Sequence, residues 1–278
     1  MGTGYKFNVE KVTEDVIAWI KDWFEHNGKG CNAVIGISGG KDSTIVAALC
    51  VEALGADRVI GVMMPCGVQK DISDSIRVCE YLGIKNYTIN IEGAVNATLK
   101  QMEDAGIEIT NQTRVNLPPR IRMSTLYAVS QSHNGRVSNN CNLSENICGF
   151  STRYGDDAGD FSPLSNLTTV EIVQIGDYLG IPYDLVHKVP MDGLNLNENG
   201  DYITDEDILG VKYSDIHKYV IDPDTLEEEN PDVFQAIREK EIKNAFKLAP
   251  MPTYKPWVEV LSTNEKTHKI YDKIGYCY

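Results

Sequence analysis

Residues 34–43 read Val34-Ile35-Gly36-Ile37-Ser38-Gly39-Gly40-Lys41-Asp42-Ser43, an apolar strand running into a glycine turn and then a helix from about Asp42 to Leu54. Strand, turn and helix in that order open an α/β sheet. Gly36, Gly39 and Gly40 let the backbone bend tightly and approach a ligand. The helix aims its unpaired N–H groups and the positive end of its dipole at the same point. Such a place binds phosphate. A Walker A loop needs four residues between its first glycine and Gly-Lys, then Ser or Thr. Here three residues separate Gly36 from Gly40, and Asp42 follows Lys41. Asp42 is repelled by phosphates unless Mg²⁺ lies between them. The turn therefore suits a magnesium-bound pyrophosphate; an ordinary glycine-rich turn is the plainer alternative.

Working outward, Val9, Val12, Val16, Ile20, Trp23 and Phe24 recur at helical spacing and predict an amphipathic helix over 8–26. Strands are expected at 33–37, 59–64 and 87–91, with helices at 42–54 and 72–82 between them. This alternation predicts a parallel sheet with helices on both faces, joined by right-handed crossovers. Ligands of such sheets lie beyond the carboxyl ends of the strands, where the Ser38–Ser43 turn and the loop Met64–Gln69 both fall. Further helices are expected at 118–131, 168–180 and 231–248, with a short strand near 136–138. The stretch 189–229, rich in Asn, Asp, Gly and Pro, reads as a mobile lid within a single domain spanning 1–278.

Composition narrows the function. The 278 residues suffice for a sizeable core, and 42% hydrophobic with 24% charged residues is ordinary for a soluble chain. The longest apolar runs are too short to span a membrane, and the N-terminus shows no export segment. The expected location is the cytoplasm. A net charge of −14 disfavours a nucleic-acid partner. Seven cysteines without Cys-x-x-Cys spacing fit a reducing compartment and mostly buried thiols.

A second polar constellation occupies residues 139–164: Asn-Asn-Cys-Asn-Leu-Ser-Glu-Asn-Ile-Cys-Gly-Phe-Ser-Thr-Arg-Tyr-Gly-Asp-Asp-Ala-Gly-Asp-Phe-Ser-Pro-Leu. Acidic residues among glycines can be a solvated loop, or a second magnesium carboxylate with a substrate clamp. The turn Ser-Gly-Gly-x-Asp-Ser resembles the PP-loop of ATP pyrophosphatases, which split ATP between its α- and β-phosphates. The 139–164 stretch is similar to the Asn-x-Ser-Glu, Thr-Lys-Tyr-Gly-Asp and Asp-x-x-Pro-Leu signature of ammonia-dependent NAD⁺ synthetases. Residues 116–127, Leu179-Gly-Ile-Pro182, 205–216 and the late His268-Lys269 pair extend the resemblance over roughly residues 8–275.

The resemblance implies an adenine nucleotide alpha hydrolase-like (Rossmann-like) fold and a two-step ligase. In that chemistry the carboxylate of deamido-NAD⁺ attacks the α-phosphorus of ATP, and ammonia then displaces AMP from the acyl-adenylate. Gly36, Ser38, Gly39, Gly40, Lys41, Asp42 and Ser43, with Gln69 and Asn140, are the implied ATP-binding residues. Asp42 and Glu145 are the implied Mg²⁺ ligands, and Asp156 the group that positions ammonia. Arg120, Arg153, Asp160, His268 and Lys269 are implied for deamido-NAD⁺, in a homodimer whose dinucleotide site lies at the interface. The pattern departs from the family at Met63, Asn139-Asn140, Thr169 and Met191, all at the expected ATP site. Thr169 replaces a lysine that usually reaches the triphosphate, so Lys41, Lys188 or another cation must supply that charge. Two competing readings are an adenylating amidotransferase for another acid and a non-catalytic nucleotide-binding homologue.

Overall fold

The computed structural model describes residues 5–189 and 203–252. Contacts divide the chain into residues 1–247 and 248–278, and the sheet and its helices belong to the first unit. The first half of the chain runs α1 (Val9–Asn27), β1 (Asn32–Gly36), α2 (Lys41–Leu54), β2 (Val59–Met63), α3 (Ile72–Leu82), β3 (Lys85–Thr88), α4 (Glu92–Asp104), α5 (Asn111–Ser132) and β4 (Gly135–Val137). The second half adds α6 (Leu143–Cys148), α7 (Thr169–Tyr178), α8 (Tyr183–Val186), α9 (Asp205–Leu209), α10 (Tyr213–Ile221), α11 (Pro223–Glu229) and α12 (Pro231–Leu248).

The four strands are parallel in the order β3-β2-β1-β4. The alternation of β1 sorts its side chains between two cores. Ala33 and Ile35 join the layer built with α1, α2, α3, α7 and α8 through Ile20, Phe24, Ile45, Leu49, Val78, Ile172 and Leu185. Val34 joins Val62, Val137, Val95, Met123 and Leu126 on the opposite face, under α4 and α5. Helices therefore cover both faces, as the alternation of strand and helix predicts. The chain builds β1, β2 and β3 to one side and then returns to place β4 on the other flank of β1. The loops leaving β1 and β4 diverge there, opening a crevice at the carboxyl ends of the strands.

Three segments differ from expectation. The third strand is assigned to 85–88, although Ile89 and Ile91 still donate to the Met63 and Pro65 carbonyls; Asn90 Oδ1 then accepts the Glu92 N–H at the first residue of α4, a helix the sequence did not announce. The helix expected at 118–131 begins at Asn111, because Thr110 caps the Thr113 N–H. Pro118 and Pro119 then sit inside α5, although proline favours the first turn of a helix and so points to a start there. Within the stretch read as a lid, residues 205–229 form α9, α10 and α11. Leu209, Val211, Ile216 and Leu226 pack with Phe234 and Ile237 of α12 and Cys148 of α6 in a third core. Residues 190–202 lie outside the described residues. Among the described residues, no helix is long and apolar enough to cross a membrane.

Candidate active site

The turn after β1 is rigidified by its own hydroxyls. Ser38 Oγ lies 3.1 Å from Ser43 Oγ and accepts the Gly40 N–H, while Ser43 Oγ and Thr44 Oγ1 donate to the Gly40 carbonyl. Gly39 is left-handed at φ 81°, and a Cβ there would lie 3.0 Å from the backbone nitrogen and hydroxyl of Ser75. Only glycine meets both demands, so the start of α3 is pressed directly against the turn. Gly40 is the N-cap of α2 and offers no side-chain cap, which leaves the first-turn N–H groups for a ligand.

Across the crevice, the loop after β4 presents Asn140, Asn142 and Glu145. Asn140 Nδ2 donates to the Gly36 carbonyl at 3.1 Å, stitching the two loops together. Asn142 caps α6 in a reciprocal box: its Oδ1 accepts the Glu145 N–H, and Glu145 Oε2 accepts the Asn142 N–H, both at 3.1 Å. The Nδ2 of the same fully buried asparagine donates to Asp42 Oδ1 at 2.9 Å, and Oδ1 also accepts from Thr169 Oγ1 at 3.3 Å. One residue thus holds both carboxylates, Asp42 through its side-chain amide and Glu145 through its backbone N–H, although the two stand 103 positions apart in sequence. Lys41 Nζ holds the other oxygen of Asp42 at 3.0 Å.

The electrostatics arise from this crowding. Glu145 has its pKa pushed up to about 8, first by burial and then by the Asp42 carboxylate, with Lys41 opposing. Burial works against the charge of Lys41, yet Asp42, Glu145 and Asp205 outweigh it and hold its pKa above the ordinary value. The Tyr213 phenol is raised by burial and by the same three carboxylates. An excess of buried negative charge is what a cation would relieve. Two carboxylate oxygens suit Mg²⁺, which typically uses one or two protein carboxylates and completes its shell with phosphate and water. Among the described residues, no group of three or more His, Cys, Asp or Glu could hold a metal unaided. The donor set therefore fits Mg²⁺ arriving with a phosphorylated ligand.

The metal-free protein should be pH-dependent in consequence. Between the ordinary value of 4.5 and about 8, the native Glu145 keeps a proton that the unfolded chain has released. This contribution to stability is full below pH 4.5 and lost as pH rises through 8. In chelator, Tm should fall across that window, and Glu145→Gln should flatten the fall; parallel Tm curves for both proteins would contradict it.

The remaining expected residues lie in several different settings. Asp156 and Arg120 are exposed, and each bonds to the backbone of the turn after α6: Asp156 Oδ1 accepts the Thr152 N–H, and Arg120 Nε donates to the Arg153 carbonyl. Asp156 lies near enough to Glu145 to act on its charge. Arg153 itself points to α12, where its guanidinium donates to the Phe246 carbonyl and stacks on the Tyr154 and Phe246 rings. Asp160 accepts from the Val137 N–H and the Tyr127 hydroxyl, an anchoring role at the end of β4. Gln69 is in the loop after β2 and donates to Asp71, which with Asp74 holds Lys188 at 2.7 and 2.6 Å. Met63 is buried in β2. Met191, His268 and Lys269 lie outside the described residues. Asn142 was missed as a functional residue, although Asn followed three positions later by Glu is a helix-start signal. Tyr213 and Asp205 were missed because only the fold brings α9 and α10 to the crevice.

The doubly covered parallel sheet and the glycine turn at its switch point are those of a nucleotide-binding α/β protein of the PP-loop class. The model of the family "NAD synthase" matches residues 12–255. An NH(3)-dependent NAD(+) synthetase of Thermococcus sibiricus is 38% identical over 185 residues, 66% of this chain and 71% of its own length. Among solved structures, an NMN synthetase from Francisella tularensis superposes with a TM-score of 0.78 at 27% identity, covering 90% of this chain and all of that one. An NH3-dependent NAD synthetase from Campylobacter jejuni does so at 0.74 and 28%, with the same coverage. The chain belongs to the NH3-dependent NAD⁺ synthetase family, ATP-using ligases that convert deamido-NAD⁺ to NAD⁺.

Proposed function

We propose that Asp42 and Glu145, bridged by Asn142, hold Mg²⁺ on the pyrophosphate of ATP while deamido-NAD⁺ is adenylated and then amidated. The observation that carries this reading is the convergence of two carboxylates from separate loops on one buried residue, Asn142, whose side chain holds Asp42 and whose backbone N–H holds Glu145, beside the glycine turn. The bound ion would offset the charge that grows on the departing pyrophosphate. Gly39 and the first turn of α2 present N–H groups to the same oxygens, in a turn already held by the Ser38–Ser43 contacts. Ser38, Lys41, Ser43, Gln69 and Asn140 complete the ATP site. The nicotinate carboxylate attacks the α-phosphorus, pyrophosphate leaves, and ammonia displaces AMP from the acyl carbon. Asp156 positions the ammonia. The setting is cytoplasmic, and the assembly is a homodimer with the dinucleotide site at its interface.

Arg120 binds the acidic dinucleotide, with Arg153 steadied behind it by α12. Arg120→Ala is expected to raise KM for deamido-NAD⁺ about tenfold with a smaller loss in kcat. An unchanged KM in steady-state kinetics removes Arg120 from the site. The reaction itself is tested by incubation with ATP, Mg²⁺, deamido-NAD⁺ and ¹⁵N-ammonium, followed by mass spectrometry. Labelled NAD⁺ with stoichiometric AMP supports the reading, and unlabelled product or no AMP refutes it. The likeness to an NMN synthetase makes the corresponding mononucleotide acid the second substrate for the same assay. A higher kcat/KM on that acid would move the assignment to it.

A further inference from the structure

Lys41 is the least expected group in the crevice. Its side chain is 5% exposed, a depth at which lysine is rare unless paired. It sits on the first turn of α2, the end of a helix where a cation is disfavoured by the dipole. Nζ lies 3.0 Å from Asp42 Oδ2 and 5.3 Å from the centre of the Tyr213 ring, and the charges of Glu145 and Asp205 bear on it as well. Asp42 Oδ1 is committed to Asn142. The oxygen that Asp42 turns away from Asn142 is thus the one the lysine occupies. A divalent ion shared between Asp42 and Glu145 must contend with a positive charge already on that carboxylate, and two cations so close repel strongly in a partly dry site.

We propose that Lys41 is the resident counter-cation of this carboxylate cluster. It competes with the divalent ion for Asp42, so that the ion binds tightly only together with a nucleotide whose phosphates draw the ammonium away. The inference rests on the reading of Asp42 and Glu145 as ion ligands. It makes the order of binding a property of the protein: metal and nucleotide enter together, and the free enzyme keeps its buried carboxylates neutralised without metal.

Mn²⁺ is the probe, with electron paramagnetic resonance of the free ion as the readout and the full-length protein as the sample. Wild type and Lys41→Arg should bind Mn²⁺ weakly without nucleotide and more tightly with α,β-methylene ATP. Lys41→Met should bind Mn²⁺ alone at least about tenfold more tightly than wild type. Its metal-free Tm should drop, and Mn²⁺ should restore it. Equal Mn²⁺ affinity in folded wild type and Lys41→Met overturns the role of the lysine but leaves the ion site standing. Absence of Mn²⁺ binding in every protein, with or without nucleotide, overturns the ion site as well. If Lys41→Met does not fold, the double variant Lys41→Met with Asp42→Asn removes both members of the buried ion pair and should recover folding. A double variant as unstable as the single one refutes the counter-cation.

Discussion

Glu145→Gln and Asp42→Asn are each expected to lower AMP formation about a thousandfold or more under saturating ATP and deamido-NAD⁺, because each removes half of the charge that would hold Mg²⁺ on the leaving pyrophosphate. The two variants differ in what they do to the fold. Asp42→Asn takes away the partner of a buried ammonium, and an uncompensated buried charge is costly. Glu145→Gln instead removes a carboxyl that burial and Asp42 already disfavour as an anion. Its amide keeps an oxygen to accept the Asn142 N–H, so the capping box survives. Glu145→Gln should therefore retain or raise Tm at pH 8 while losing turnover, which separates chemistry from stability in one protein. Chromatographic detection of AMP beside a thermal melt measures both. Turnover within tenfold of wild type would sink the assignment of Glu145, whatever the melt shows.

The sheet was legible because its signals are local. β1 and β2 are short apolar runs bounded by turn residues, and the crossover helices repeat their apolar residues at helical spacing, so strand and helix could be told apart from neighbours within a dozen positions. The turn after β1 was legible for the same reason: Gly39 and Gly40 fix a backbone shape that few sequences produce. What failed was decided by distant contacts. Proline at 118 and 119 argued for a helix start, yet Gly155 leaves room against Pro119, and both prolines are buried within α5. Residues 205–229 look polar in sequence, but Leu209, Val211, Ile216 and Leu226 find their apolar partners on α6 and α12, outside that stretch. Tertiary packing overrode composition there.

The site divides along the same line. Asp42 and Glu145 could be paired only by resemblance, since nothing in their spacing says that they meet. The geometry that joins them is topological: β4 returns beside β1, so the loops that leave both strands face one crevice. Lys188, one of the cations weighed for the triphosphate, is held by Asp71 and Asp74 at the start of α3. Lys41, the other, is buried among the carboxylates. Neither arrangement is written in a motif, because both depend on which acidic side chains the fold brings near.

Asn142→Ala is the second large effect expected, and it strikes fold and site together. The side chain makes three contacts in a place without access to water: it accepts from the Glu145 N–H and from Thr169 Oγ1, and it donates to Asp42 Oδ1. Alanine removes the cap of α6 and strands a buried hydroxyl, a loss of about 2–4 kcal/mol in the stability of the folded chain. Asp42 also loses the donor that fixes its rotamer, so turnover should fall even at temperatures where the variant remains folded. Asn142→Asp distinguishes the two consequences. It keeps an oxygen for the Glu145 N–H and so preserves the cap, but it sets a third carboxylate beside Asp42 and Glu145, with Lys41 facing all three. If the bridge serves only the helix, the aspartate variant melts near wild type and turns over normally. If it also orders the Asp42 carboxylate, which its amide holds directly, that variant loses activity and its Tm becomes more dependent on Mg²⁺ than that of the wild-type protein.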